Sequence, residues 1–201
     1  MQEAIAHQQL KNLLQQVQTD WPHHLTLSRL VARSLRRRDS TFIQLADCSQ
    51  DEWWLGLMVP ICLEPRGNVL VLQDHLKSRL LKVELPRLQS AGFSFGCWEG
   101  LTPPAGEQFW LLNHSELIAA HKNGFLKSRQ LIIPEADLLS KHLRDVMTLK
   151  ITAEDWERFR RANPIEEESI ICLFQRLTRL VFQYPANLPQ KVRIDSREII
   201  A

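Results

Sequence analysis

The sequence predicts an α/β fold: a parallel sheet with helices on both faces, and further helices flanking it. Two observations predict this. Short apolar runs rich in Val, Leu and Ile recur at 40–46, 67–74, 108–113 and 129–134, and segments with helical spacing of apolar residues stand between them. Parallel neighbours need a crossover connection, which a helix of this length supplies.

Taken in order, residues 3–18 place Leu10, Leu13, Leu14 and Val17 at helical spacing and stop before Trp21 and Pro22. A second helix runs from Leu27 to Arg38, with Leu27, Leu30, Val31, Ser34 and Leu35 as its core side and Arg29, Arg33, Arg36, Arg37 and Arg38 as its charge. "STFIQLA" at 40–46 reads as a short buried strand, and the Trp-rich stretch from Asp51 to Leu63 as the helix after it. "GNVLVLQD" at 67–74 is a turn signal followed by a run of Val and Leu, hence a strand; the next helix carries Leu76, Leu80, Val83 and Leu88 inward.

Glycines, prolines and aromatics from Gly92 to Gly106 mark a loop with a short strand at "FSFGCW". "QFWLLN" is the next strand, and Asn113 caps a helix through Leu117, Ile118 and His121 that closes on Gly124 as its C′ residue. "RQLIIP" follows as a strand, with another helix beginning near Glu135. "ITAEDW" is a helix start, with Thr152 as N-cap and Asp155 at N3. "NPIEEE" is a second, with Asn163 as cap and Pro164 at N1. It opens a helix with Ile170, Leu173, Phe174, Leu177, Leu180 and Val181 on one face, a stripe that wants a partner surface. The tail after Pro185 reads as a loose extension.

Composition bounds the function. A chain of 201 residues, 44% apolar and 24% charged, can bury a sizeable core. Its formal charge of +2 means that nucleic-acid binding has to come from local clusters of Lys and Arg. Cys48, Cys62, Cys97 and Cys172 are widely spread, without the close pairs of a zinc or iron–sulfur site, and read as reduced thiols. His23 and His24 lack a companion ligand nearby. The polar start "MQEAIAHQQL" and the absence of an apolar run of membrane-spanning length predict a cytoplasmic chain with no membrane partner.

In open α/β sheets ligands bind beyond the carboxyl ends of the strands. After "STFIQLA" a phosphate-binding loop needs glycines for an anion nest, then Lys-Ser/Thr. The sequence has "ADCSQDEWW", with no Gly before Gly56. Asp47, Asp51 and Glu52 would face a triphosphate with like charge, at a cost of about 1 to 4 kcal/mol per close pair. After "RQLII" a nucleotide hydrolase needs two carboxylates, one for magnesium and one for the attacking water. Here Pro134 stands first and Glu135 second. Glu135 and Asp137 read either as acids favoured at a helix start or as the remnant of a catalytic pair.

The order of these segments resembles the first motor lobe of superfamily 2 helicases, most closely the DinG-type and related iron–sulfur DNA helicases. "WPHHLTLSRLVARSLRRRDSTFIQLA" is similar to the first helix and nucleotide strand of that lobe, and "VLVLQDHLKSRLLKVELPRLQ" to the strand and helix of the next helicase box. "FWLLNHSELIAAH" looks like the later box whose strand ends in a polar turn touching the DNA backbone. "LIIPEADLLSKHLRDVMTLKITAEDWERF" resembles the Asp-Glu-Ala-His/Asp box of that family with its succeeding helix, short strand and second helix. The resemblance covers roughly residues 21 to 160. It implies a RecA-like lobe of P-loop NTPase type at 25–160, a helical extension at 1–24, and a C-terminal helix and tail at 161–201.

The same resemblance implies ATP and magnesium as cofactors and single-stranded or duplex DNA as partner. Glu135 alone matches a catalytic acid of the family, while Asp47 to Glu52 replace its phosphate-binding residues, Pro134 its magnesium acid, and its cluster cysteines are missing. A single lobe that binds without hydrolysing ATP, with no bound cofactor, is therefore expected. Candidate nucleic-acid contacts are Arg33, Arg36, Arg37 and Arg38, then Lys77 and Arg79 on the next helix, then His114 and Ser115 in the later box. The solvated ends and faces of helices explain the same charges, and capping explains the same polar turn. Other partners would be a second motor lobe on another chain, or a protein docking on the apolar face at 170–181. A protein-interaction domain on this fold, without nucleic-acid binding, is the alternative.

Overall fold

Val, Leu, Phe and Trp alternate across the sheet in this computed structural model, which describes residues 2–17, 21–45, 53–148 and 151–182. The strands are β1 (Asn68–Val71), β2 (Gly96–Trp98), β3 (Gln108–Leu112) and β4 (Gln130–Ile132). They pair in the order β2-β3-β1-β4, all parallel, with Val69 opposite both Trp110 and Leu131. Alternation sends Leu70, Leu72, Phe109, Leu111 and Ile132 into one apolar cluster. Val69, Val71, Trp110, Leu112 and Ile133 enter another on the opposite face. Both faces are covered, as a parallel sheet requires.

The larger cluster is roofed by α1 (Gln2–Val17), α2 (His24–Arg37) and α3 (Trp54–Leu63). Leu10 and Leu13 of α1, Leu27, Val31 and Leu35 of α2, and nearly every residue of α3 are buried there. Within the stretch expected as a helical extension at 1–24, α1 shares this core through Leu10 and Leu13. On the other face, α6 (His114–Lys122) and α7 (Leu139–Met147) supply Leu117, Ala120 and Leu143.

Three local expectations are corrected. Residues 41–45 form no strand: Phe42 is 75% exposed, and only Ile43 packs against the core; Ala46 lies outside the described residues. The helix after β1 is interrupted. It is α4 (Asp74–Arg79), a π turn at Leu80–Glu84 and α5 (Leu85–Ser90). Leu85 N–H reaches back five residues to Leu80 O. That wider turn rotates Val83 to solvent and brings Glu84 inward, so a stripe counted at 3.6 residues per turn fails here. Finally, Pro134–Leu138 are turns and α7 starts only at Leu139, so Glu135 and Asp137 do not open a helix.

The α6 start follows its sequence. Asn113 accepts from Glu116 N–H at 2.8 Å and Glu116 returns the bond to Asn113 N–H, a capping box. At its other end Gly124 takes φ +72° as the C′ residue, while Phe125 N–H donates to Ala120 O.

The described chain falls into two compact units, divided between Met147 and Thr148. The second holds α8 (Ala153–Ala162), a 3₁₀ turn at Pro164–Glu166 and α9 (Glu167–Phe182). Thr152 and Asp155 form the expected capping box. Asn163 does not cap with its side chain; its Nδ2 turns back to Phe159 O at 2.9 Å. Trp156 meets Phe159 and Phe174 edge-on. Among the described residues no helix is long and apolar enough to cross a membrane.

Candidate functional site

The carboxyl ends of β1, β3 and β4 come out side by side, and each chain leaving them carries polar side chains. Leu72 N–H donates to Leu112 O at 3.0 Å, which extends the β1–β3 pairing to the rim and sets Gln73 and Asp74 beside Asn113. Asn113 Nδ2 then donates to Asp74 Oδ1 at 2.9 Å. From the other neighbour, Glu135 Oε2 accepts from Gln73 Nε2 at 2.7 Å. One amide–carboxylate bond thus ties β1 to β3 and another ties β1 to β4.

Behind this row lies His114, the first residue of α6, buried at 6% exposure and edge-on to His142 of α7 at 4.9 Å between ring centres. Burial, then the neighbouring His142, hold the His114 pKa below its ordinary value; Glu135 and Asp74 pull the other way. The net shift is downward, so the ring is neutral at pH 7. Ser115, next along, is exposed. Among the described residues no three His, Cys, Asp or Glu side chains group as a metal site.

Lys77 and Arg79 leave the site for structural work. Lys77 Nζ sits 3.0 Å from Glu116 and 3.5 Å from Glu99, with its side chain 13% exposed. Because Glu116 is also the capping-box acid of α6, this pair fastens α4 to the start of α6. Arg79 Nε lies 3.2 Å from the buried carboxylate of Glu84, with Arg87 on its other oxygen at 3.7 Å. A charge brought inside by the π turn is met there by two cations.

The arginines of α2 are arranged differently. Arg29, Arg33, Arg36 and Arg37 are all exposed and fall within an arc of about 100°. The opposite face of the helix buries His24, Leu27, Val31 and Leu35. Arg38 follows as the C-cap in the left-handed region, φ 54°. From Arg29 to Arg37 the stripe is about 12 Å long. Gln130 Nε2 donates to Ser34 O at 3.1 Å, so this end of α2 stands where β4 begins, whereas Glu135 stands where it ends.

The structure therefore places Glu135 within electrostatic reach of His114 and leaves Arg33, Arg36 and Arg37 at the other end of β4, while Arg38 and Glu135 line one groove. Asp47, Asp51 and Glu52 lie outside the described residues. Gln73 and Asp74 were legible only as strand-end positions and Asn113 as a helix cap; His142 had no local signal, since it reaches the site through packing of α7. Comparison with family models, with curated proteins and with solved structures finds no match to this chain.

Proposed function

We propose that this chain is a DinG-type motor lobe, RecA-like in fold, that binds nucleic acid through the arginine stripe of α2 without turning over ATP. The observation that carries the reading is the stripe itself: exposed guanidinium groups on one helical face, backed by a buried face that fixes their direction. Spaced cations on a rigid element suit a phosphate backbone, which needs charge and reach rather than base recognition. The parallel sheet with two covered faces is compatible with the lobe. Against hydrolysis stand Pro134, which offers no magnesium ligand, and the bond that engages Glu135 with Gln73.

Anisotropy titration of a labelled single-stranded oligonucleotide at several salt concentrations tests the reading. Binding should weaken with salt by roughly 0.7 log units per log unit of salt for each phosphate neutralised. With Arg33, Arg36 and Arg37 all changed to Gln, the slope should fall by about 2. No binding at low salt would overturn it.

A second reading, a protein-docking domain without nucleic-acid binding, is favoured by the second unit. There Ile151, Phe159 and Phe174 are half-exposed and Ile165 is 94% exposed. Under that reading the oligonucleotide titration is flat.

A further inference from the structure

Among the described residues the sheet stops at β4, but the helical layer above it does not. Gln130 N–H donates to Gly67 O on the β1 side at 3.0 Å. Because successive amides of a strand alternate in direction, Leu131 and Ile133 turn their N–H and C=O groups away from β1, along the edge. Beyond that edge is a groove of about 1330 Å³. Its far wall is the irregular segment 41–45, and Leu27, Val31, Leu35 and Leu57 of α2 and α3 line it. A five-residue strand fills a slab of about 17 by 4.8 by 10 Å, on the order of 800 Å³. The space fits one more strand and is roofed by apolar side chains.

The other side of the edge is apolar as well. Leu131 is 41% exposed and Leu138 39% exposed, both in the groove lining. An occupant would thus meet apolar surface on both faces. At the end where β4 finishes, Glu135 and Asp137 line the groove. Gln73 engages one oxygen of Glu135, and no cation is paired with either acid among the ion pairs of the described residues.

We propose that this groove receives an extended polypeptide segment of a partner protein, apolar on both faces and basic at the Glu135 end, added as a fifth strand along β4. Backbone bonds to the outward groups of Leu131 and Ile133 would hold it in register, and the apolar walls would select its side chains. The arginine stripe of α2 takes no part, so this docking stands or falls apart from nucleic-acid binding.

The probe is a pair of fluorescein-labelled peptides, Val-Ile-Val-Thr-Val-Lys-Lys and its reversed sequence, titrated into the full chain. One of them should bind, and its affinity should fall at least about tenfold when alternate backbone amides are N-methylated, since that removes the strand bonds and keeps the side chains. Binding should slow hydrogen exchange at Leu131 and Ile133. Glu135→Gln with Asp137→Asn should weaken binding of the basic peptide. Protection of the Leu72 amide, which donates to Leu112 O across the sheet, reports whether each variant is folded. No binding by either peptide, or equal binding by the N-methylated form, would overturn the proposal.

Discussion

Gln73 Nε2 donates to Glu135 Oε2 at 2.7 Å, fastening the chain that leaves β1 to the turn that leaves β4. Glu135, expected from the resemblance alone to stand for a catalytic acid, is thus a tie between neighbouring strands. Glu135→Ala removes the acceptor and leaves a half-buried amide, which should lower unfolding free energy by about 1 kcal/mol. Glu135→Gln retains an acceptor oxygen and should cost less than half of that. Urea unfolding of the three proteins reads the order. In a phosphate-release assay with Mg-ATP, wild type and Glu135→Gln should both stay at background; turnover that Glu135→Gln abolishes would end the non-hydrolysing reading.

Lys77 and the α2 arginines should separate stability from binding. Lys77 is held between Glu116 and Glu99 with little exposure, so Lys77→Met leaves Glu116 beside a lost cation and should destabilise the fold by roughly 1–2 kcal/mol. It should leave the salt slope of oligonucleotide binding unchanged. Changing Arg33, Arg36 and Arg37 to Gln should do the reverse, because exposed helix charges contribute little to stability. Paired denaturation and salt titrations of both variants check the crossing.

His114 gives the fold a pH dependence of known sign. Its pKa is lowered on folding by burial and by His142, so the unfolded chain binds the proton first as pH falls. The stabilisation is fully present above about pH 6.5, the unfolded value. It is lost as pH drops from there toward the lowered folded pKa, and below that no more is lost through this group. In His114→Asn the loss across this window should shrink, and the difference between the two proteins should be constant above pH 7. Denaturation midpoints from pH 5 to 8 test it.

What the sequence disclosed and what it withheld divide along a physical line. The strands at 68–71 and 108–112 were visible because a doubly covered parallel strand is apolar along most of its length; that at 130–132, an edge strand with Leu131 exposed, was visible as a short apolar run ending at Pro134. The caps at Asn113 and Thr152 were visible because capping is chemistry within four residues. The π turn was hidden, since Val83 and Glu84 exchange places through a backbone change that no residue pattern announces. Segment 41–45 has a strand's composition but pairs with no strand among the described residues, and pairing is not a property of one segment. At the site the same rule holds. Glu135 and His114 stood at predicted strand ends, whereas Gln73 and His142 became their partners only through the register of β1 and the packing of α7.

At Gly56, α3 packs close against α2. A Cβ built on it would lie 2.9 Å from His24 O and 3.1 Å from the Leu27 side chain. The carbonyl belongs to the backbone of α2 and cannot rotate away, so the helices must part. That separation would loosen Leu27 and Val31, the side chains that anchor the buried face of α2 and so fix the direction of its arginines. Gly56→Ala should therefore destabilise by about 1–3 kcal/mol despite the better helix propensity of alanine, because overpacking exceeds the gain of up to about 1 kcal/mol. The less direct outcome is functional: at a temperature where the variant is still folded, oligonucleotide affinity should fall with no arginine altered. Thermal unfolding and the anisotropy titration on the same sample test both halves, and full stability in Gly56→Ala would show that the two helices have room to spare.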